Sequence, residues 1–309
     1  MPRVTMARVT IRLRTALLAT LAGVSVVAST AGAQAPLAGV AEALGRAGAD
    51  QPGGVVRFGF PRSDLTVAVN GVTLKPALVL GSWVAFEPIG PHSAMAMGDL
   101  VLLESEVGDV MRALQAGGVE QTALHNHVLG ESPRVMYMHV SAHGDPVKIA
   151  LTIRTALNTT KTPLGAPAAA AAPSAAELDT AGIAAALGVG GKLNGVVYQV
   201  SVPRREHIME RGHEVPPSMG VATAINFQPT GGGKAAVTGD FVMRAEEVNA
   251  VIRALQAHGI TPTALHIHML DESPRLFFMH FWANDDAVTL AKGLRAALDR
   301  TASRIAVKS

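Results

Sequence analysis

Apolar residues recur at helical spacing in two places along the chain. Val107, Val110, Met111 and Leu114 stand at i, i+3, i+4 and i+7, and so do Val248, Val251, Ile252 and Leu255. Each set makes one apolar stripe on a helix, and Gly118 or Gly259 follows as a stop. Two short β-type runs come next, residues 122–129 and 134–142 in the first place, 263–270 and 275–283 in the second. The segments between them contain Glu-Ser-Pro, which predicts a turn and hence a hairpin. Asp145-Pro146 then reads as a cap and first-turn proline. A further helical stripe follows, through Val147, Ala150, Ile153 and Leu157, or through Ala287, Leu290, Ala291, Leu294 and Leu298. Upstream of the first helices, residues 77–88, 93–103, 220–229 and 234–243 read as strands.

The two patterns are copies. From Gly98 to His139, 24 of 42 positions are identical to those 141 residues later. Pro61-Arg62 and Pro203-Arg204 also match, after a one-residue slip. The expected fold is α+β: two homologous domains from an internal duplication, packed about a pseudo-twofold axis. Each domain is a mainly antiparallel sheet with helices on one face. The expected organisation is residues 34–162 and 178–302 as the two repeats. Residues 163–177 form a Pro/Ala-rich linker between them.

The first 33 residues read differently. Arg3, Arg8, Arg12 and Arg14 precede an apolar run that ends at Ala31-Gly32-Ala33. That is the layout of a secretory signal peptide. Its removal predicts a periplasmic or extracellular protein with no integral membrane segment. It also changes the charge: 26 basic residues lose four arginines, so 22 face 24 acidic ones. No basic excess remains to suggest a nucleic-acid partner. The chain has no cysteine, which excludes a lipid anchor, a thiol nucleophile and sulfur-rich metal sites. The oligomeric state is left open.

Six of the eleven histidines lie in the two hairpins. Side chains on a strand alternate faces, so His125 and His127 share a side, as do His266 and His268. The returning strands bring His139 and His280 back beside them, with Glu131 and Glu272 at the turns. Imidazole and carboxylate in this pattern are the ligand types for a divalent transition metal, with zinc the default for nitrogen and oxygen donors. The expectation is one site per repeat: His125, His127, Glu131 and His139, and then His266, His268, Glu272 and His280. A non-metal polar site and a purely structural cluster are the alternatives. Arg134 and Arg275, in the repeated Glu-Ser-Pro-Arg, read first as turn residues and second as ligands for an anion. Met95, Met97, Met136, Met138, Met269 and Met279 read as core filler.

With residues 214–241 and 253–287 and their echoes in the first half in view, the chain resembles the LppY/LpqO family of exported bacterial proteins. The resemblance implies an exported protein with a tandem domain and carries no activity. Its lipoprotein members need an anchoring cysteine that is absent here. Two functional classes follow: an exported metal-binding protein, with a metal-dependent enzyme as one form of it, or a non-enzymatic module binding a small-molecule ligand in the periplasm or cell wall.

Overall fold

Each repeat builds the same elements in the same order. The first runs α1 (Val40–Leu44), β1 (Ala49–Gln51), β2 (Val55–Pro61), β3 (Ala68–Val69), β4 (Val72–Thr73), β5 (Gly81–Gly90), β6 (Ser93–Leu103), α2 (Val107–Ala116), β7 (Glu120–His125), β8 (Glu131–Ser132), β9 (Val135–Gly144) and α3 (Pro146–Leu157). The second runs α4 (Thr180–Leu187), β10 (Lys192–Asn194), β11 (Val197–Pro203), β12 (Met209–Glu210), β13 (His213–Glu214), β14 (Ala222–Gly231), β15 (Lys234–Met243), α5 (Ala245–Ala257), β16 (Thr261–His266), β17 (Glu272–Ser273), β18 (Phe277–Asp286) and α6 (Ala287–Leu298). This computed structural model describes residues 1–2, 37–165 and 177–305. Beyond Pro2 the signal-peptide reading of residues 1–33 lies outside the described residues, as does most of the linker, residues 166–176.

The main sheets are antiparallel and identical in topology, ordered β1-β2-β5-β6-β9-β7 and β10-β11-β14-β15-β18-β16. Alternation along their strands sorts the cores. Val84, Phe86, Leu100, Leu102, Met138 and Val140 pack with the helices of the first repeat. Their neighbours Ala85, Met95, Met97, Val101, Val135 and Tyr137 point the other way and pack with residues of the second repeat. The second sheet does the same, with Phe227, Phe241 and Phe281 toward α4–α6 and Val242 and Phe278 toward the first repeat. Helices therefore lie outside and the two sheets face each other. Each fully buried Leu or Phe contributes about 1.5–3 kcal/mol relative to exposure, so the shared face is a substantial core and not a loose domain contact.

A short arm between the second and third main-sheet strands of each repeat crosses to the other. The first arm, carrying β3 and β4, is received by amide side chains of the second sheet. Gln228 accepts from the Lys75 N–H and donates to the Thr73 carbonyl, both at 2.8 Å. Asn226 and Gln199 donate to the carbonyls of Leu78 and Ala77. Each arm also pairs with its own repeat's hairpin turn, β3 with β8 and β12 with β17. The repeated Arg and Glu make matching buried networks. Arg62 bonds Glu106, Asp64 and the Val101 carbonyl; Arg204 bonds Glu247, Glu206 and the Val242 carbonyl.

Two short elements were not legible as helices. Leu44-Gly45 and Leu187-Gly188 mark the ends of α1 and α4, where the glycines take φ of 64° and 75°. Five and eight residues are too few to display a helical period. The glycine triplet Gly231–Gly233 is the tight turn between β14 and β15, with all three φ values positive.

Candidate metal centre

The strand register puts the chemistry on one rung of each sheet. Trp83 lies opposite Asp99, Asp99 opposite His139, and His139 opposite Ala123. In the second repeat the rung reads Ala224, Asp240, His280, Ala264. Both rungs face the other repeat. The glycines before the aspartates are set by space: a Cβ on Gly98 would come 2.6 Å from the Trp83 carbonyl, and one on Gly239 would overlap that of Ala224.

The edge strands β7 and β16 each bulge at one residue, between Gln121 and Ala123 and between Pro262 and Ala264. The bulged residues are Thr122 and Thr263. A bulge frees a residue from the ladder and re-aims it, and here both hydroxyls reach across to the other repeat. Thr122 Oγ1 donates to the His268 carbonyl at 2.7 Å, and Thr263 Oγ1 donates to the His127 carbonyl at 2.6 Å. This reciprocal clasp sets the two His-x-His segments against each other.

The expectation is one site per repeat, and the geometry brings the two sets of histidines together. All six histidines form one cluster across the pseudo-twofold. His125 stacks on His266 with ring centroids 3.8 Å apart, His139 on His268 at 3.8 Å, and His127 lies against His280 at 3.7 Å. Every one of these closest contacts joins the two repeats. Tyr137 and Phe278 back the cluster, stacking on His127 and His268 at 3.4 and 3.5 Å. Three groups of three have ligand atoms within 4.8 Å of one another: His125–His127–His139, His125–His266–His280 and His139–His266–His268. These buried groups can hold a metal ion.

The carboxylates are not the expected ones. Glu131 and Glu272 sit in β8 and β17 and are tied to the hairpin. Glu272 is buried and accepts from the Leu276 N–H at 2.8 Å, while Glu131 lies 3.5 Å from the Val135 N–H. They fold the turn, and neither belongs to a ligand group. Asp99 and Asp240 stand by the histidines instead. Asp99 Oδ2 lies 3.3 Å from His127 Nε2 without forming a hydrogen bond, and Asp240 Oδ2 is 3.0 Å from His268 Nε2. The signal was present in the sequence as the repeated Gly-Asp, 40 residues before each final histidine. Arg134 and Arg275 are exposed. Arg275 donates to the carbonyls of Met269 and Leu270, so it closes its own loop.

His268 sits between two acceptors, the Gly220 carbonyl 3.2 Å from Nδ1 and Asp240 Oδ2 3.0 Å from Nε2, so neither alone sets its tautomer. Carbonyl oxygens only accept, so they fix the tautomers of two other rings: His280 Nδ1 donates to the Gly239 carbonyl at 2.7 Å and His125 Nδ1 to that of Asn126 at 3.1 Å. In the neutral rings this leaves Nε2 with a lone pair, the orientation that metal-ligating histidines have. Burial holds His127, His139 and His280 well below the ordinary imidazole pKa, and neighbouring histidines add to the effect. Burial likewise lowers His266, and brings His268 down to about 3 against the pull of Asp99. Asp240 is pushed up to about 6, chiefly by burial. Neutral imidazoles are what a metal requires. Five imidazole nitrogens of the cluster are buried without a hydrogen-bond partner: Nε2 of His125, His127, His139 and His280, and Nδ1 of His266. Leaving a buried polar atom unpaired costs about 1–3 kcal/mol, so this many in one place calls for a ligand.

Comparison with known proteins adds the repeat and little chemistry. The model of a family described as Domain of Unknown Function (DUF1259) matches the chain twice, at residues 38–159 and 181–300. No curated protein matches. Among solved structures, a trimeric bacterial microcompartment shell protein, PduB, is 12% identical over 82% of this chain and 90% of its own, with a TM-score of 0.20. EtuB from Clostridium kluyveri is 10% identical over 81% and 90%, with a TM-score of 0.19. At such TM-scores neither bears on the fold or the site.

Proposed function

We propose that this chain, which belongs to the Domain of Unknown Function (DUF1259) family through two tandem copies, is a metal-binding protein whose single centre is shared by its repeats. The observation that carries the reading is the set of five unpartnered, buried imidazole nitrogens. A metal ion is the one common ligand that satisfies several imidazole lone pairs at once without protons. The ligands are His125, His127, His139, His266, His268 and His280, with Asp99 and Asp240 as the adjacent carboxylates. Nitrogen and oxygen donors without sulfur suit zinc, copper, iron or nickel, and zinc is the working choice. His125 and His266 are half-buried while the other four are buried, so the centre lies nearest the surface on their side.

The signal-like residues 1–33 and the resemblance to LppY/LpqO proteins support export, which would load the protein outside the cytoplasm. Among the described residues no helix is long and apolar enough to cross a membrane. The test is elemental analysis of the mature protein purified without an affinity tag. It should carry transition metal in stoichiometric amount, or take up zinc or copper in calorimetry. Protein that is metal-free and ignores both ions would sink the proposal.

A further inference from the structure

The two halves of the centre differ on the strands beside the aspartates. On the rung of each aspartate the first repeat has Trp83 where the second has Ala224, and on the next strand, one rung along, it has Arg57 opposite Ala85 where the second has Gln199 opposite Asn226. Gln199 is occupied, since its amide donates to the Ala77 carbonyl of the first arm at 2.9 Å. Arg57 is not. Its guanidinium carbon lies 3.7 Å from the centroid of the Trp83 ring, and it makes no hydrogen bond or ion pair with any described residue. Other arginines packed into this chain are bonded. Arg46, Arg62, Arg154, Arg204 and Arg295 all donate to carbonyls, and three of them to carboxylates as well.

Arg57 is also placed toward the centre. It shares a sheet face with Val55, which packs into the core between the repeats, while Val56 beside it packs on the helices. Asp99 attracts its charge, and burial brings its pKa down to about 10. The far edge of Trp83 presses on Gly220, where a Cβ would come 2.9 Å from the ring. The Gly220 carbonyl is the one that orients His268. Trp83 thus lies between Arg57 and the Gly220 backbone that holds His268. A guanidinium held flat on an indole keeps its in-plane N–H fork free for two parallel bonds to an oxyanion.

We propose that Arg57, held on Trp83, recognises the anionic group of a small oxyanion ligand, a carboxylate or a phosphate, that occupies the metal centre. The proposal rests on the metal reading and names the ligand class for it. The first repeat supplies this recognition alone, because the first arm covers the matching position in the second.

The test uses the full mature protein and two measurements. Zinc is first titrated into wild type, Arg57→Gln, which installs the second repeat's residue, and Arg57→Lys. All three should take up zinc equally. The zinc-loaded proteins are then titrated with inorganic phosphate and with acetate. Wild type should bind at least one of them, Arg57→Gln should bind it roughly tenfold or more weakly, and Arg57→Lys should fall between. If wild type takes up no zinc, the metal reading fails and this inference with it. If zinc uptake is normal but neither anion binds, or both variants bind as wild type does, the anion inference alone is overturned.

Discussion

Removing the two clasp hydroxyls should loosen the repeats and the centre together. Thr122 and Thr263 each donate to a carbonyl of the opposite His-x-His segment, at 2.7 and 2.6 Å. Threonine to valine keeps the shape and deletes the donor. Each hydrogen bond is worth about 0.5–1.5 kcal/mol net, and leaving its buried acceptor unpaired costs about 1–3 kcal/mol. Thr122→Val with Thr263→Val should therefore destabilise the protein by roughly 2–5 kcal/mol. The two losses need not add, because both act on one contact. The carbonyls belong to His268 and His127, so the rings lose their backbone anchor as well. Loss of such an outer partner typically weakens metal binding 10- to 100-fold, and a fall of about tenfold or more in zinc affinity is expected here. Urea unfolding and zinc calorimetry read the two effects, with Thr122→Ser and Thr263→Ser as controls that keep the hydroxyls. A double valine variant within about 0.5 kcal/mol of wild type, with unchanged zinc affinity, would refute the reasoning.

Three further outcomes follow. Burial, with Glu214 nearby, pushes Glu87 up to about 7 from 4.5, so its protonation favours the fold: the stability it contributes is full below about pH 4.5 and is lost as pH rises through about 7. Glu87→Gln, which copies Gln228 of the second repeat, should flatten the pH dependence of unfolding across that window; an unchanged slope would count against it. Glu247→Gln should cost about 1–3 kcal/mol in urea unfolding, because the buried Arg204 loses its closest carboxylate, 2.6 Å away, and keeps only Glu206 as a charged partner. Gly239→Ala should destabilise the second sheet and lower zinc uptake, since its methyl would collide with the Ala224 backbone; normal uptake would show that the Gly-Asp spacing is not set by space.

The sequence made the repeats, the sheet-and-helix class and the six histidines legible for local reasons. Stripes such as Val107-Val110-Met111-Leu114 and the identity of the two copies need no tertiary information. What it hid was long-range. Nothing local distinguishes two hairpins each binding its own metal from two hairpins facing one another. That choice is made by the inner sheet face, where Met95 and Met97 meet Val242 and Phe278. Glu131 and Glu272 looked like ligands because they sit near the histidines in sequence, yet their carboxylates face turn amides. Asp99 and Asp240 are distant in sequence and adjacent in register. The bulges that free Thr122 and Thr263 carry no residue signature at all.

The central claim is that both repeats build one centre. It is tested by comparing zinc uptake in His125→Ala with His127→Ala against His266→Ala with His268→Ala, each confirmed folded by circular dichroism. Two of the three ligand groups mix histidines from both repeats, and each pair contributes to at least two groups. The account predicts that either double substitution weakens zinc binding by the whole chain about tenfold or more, since each leaves only one of the three groups complete. Retention of half the metal at wild-type affinity in each variant would show two independent sites and contradict it.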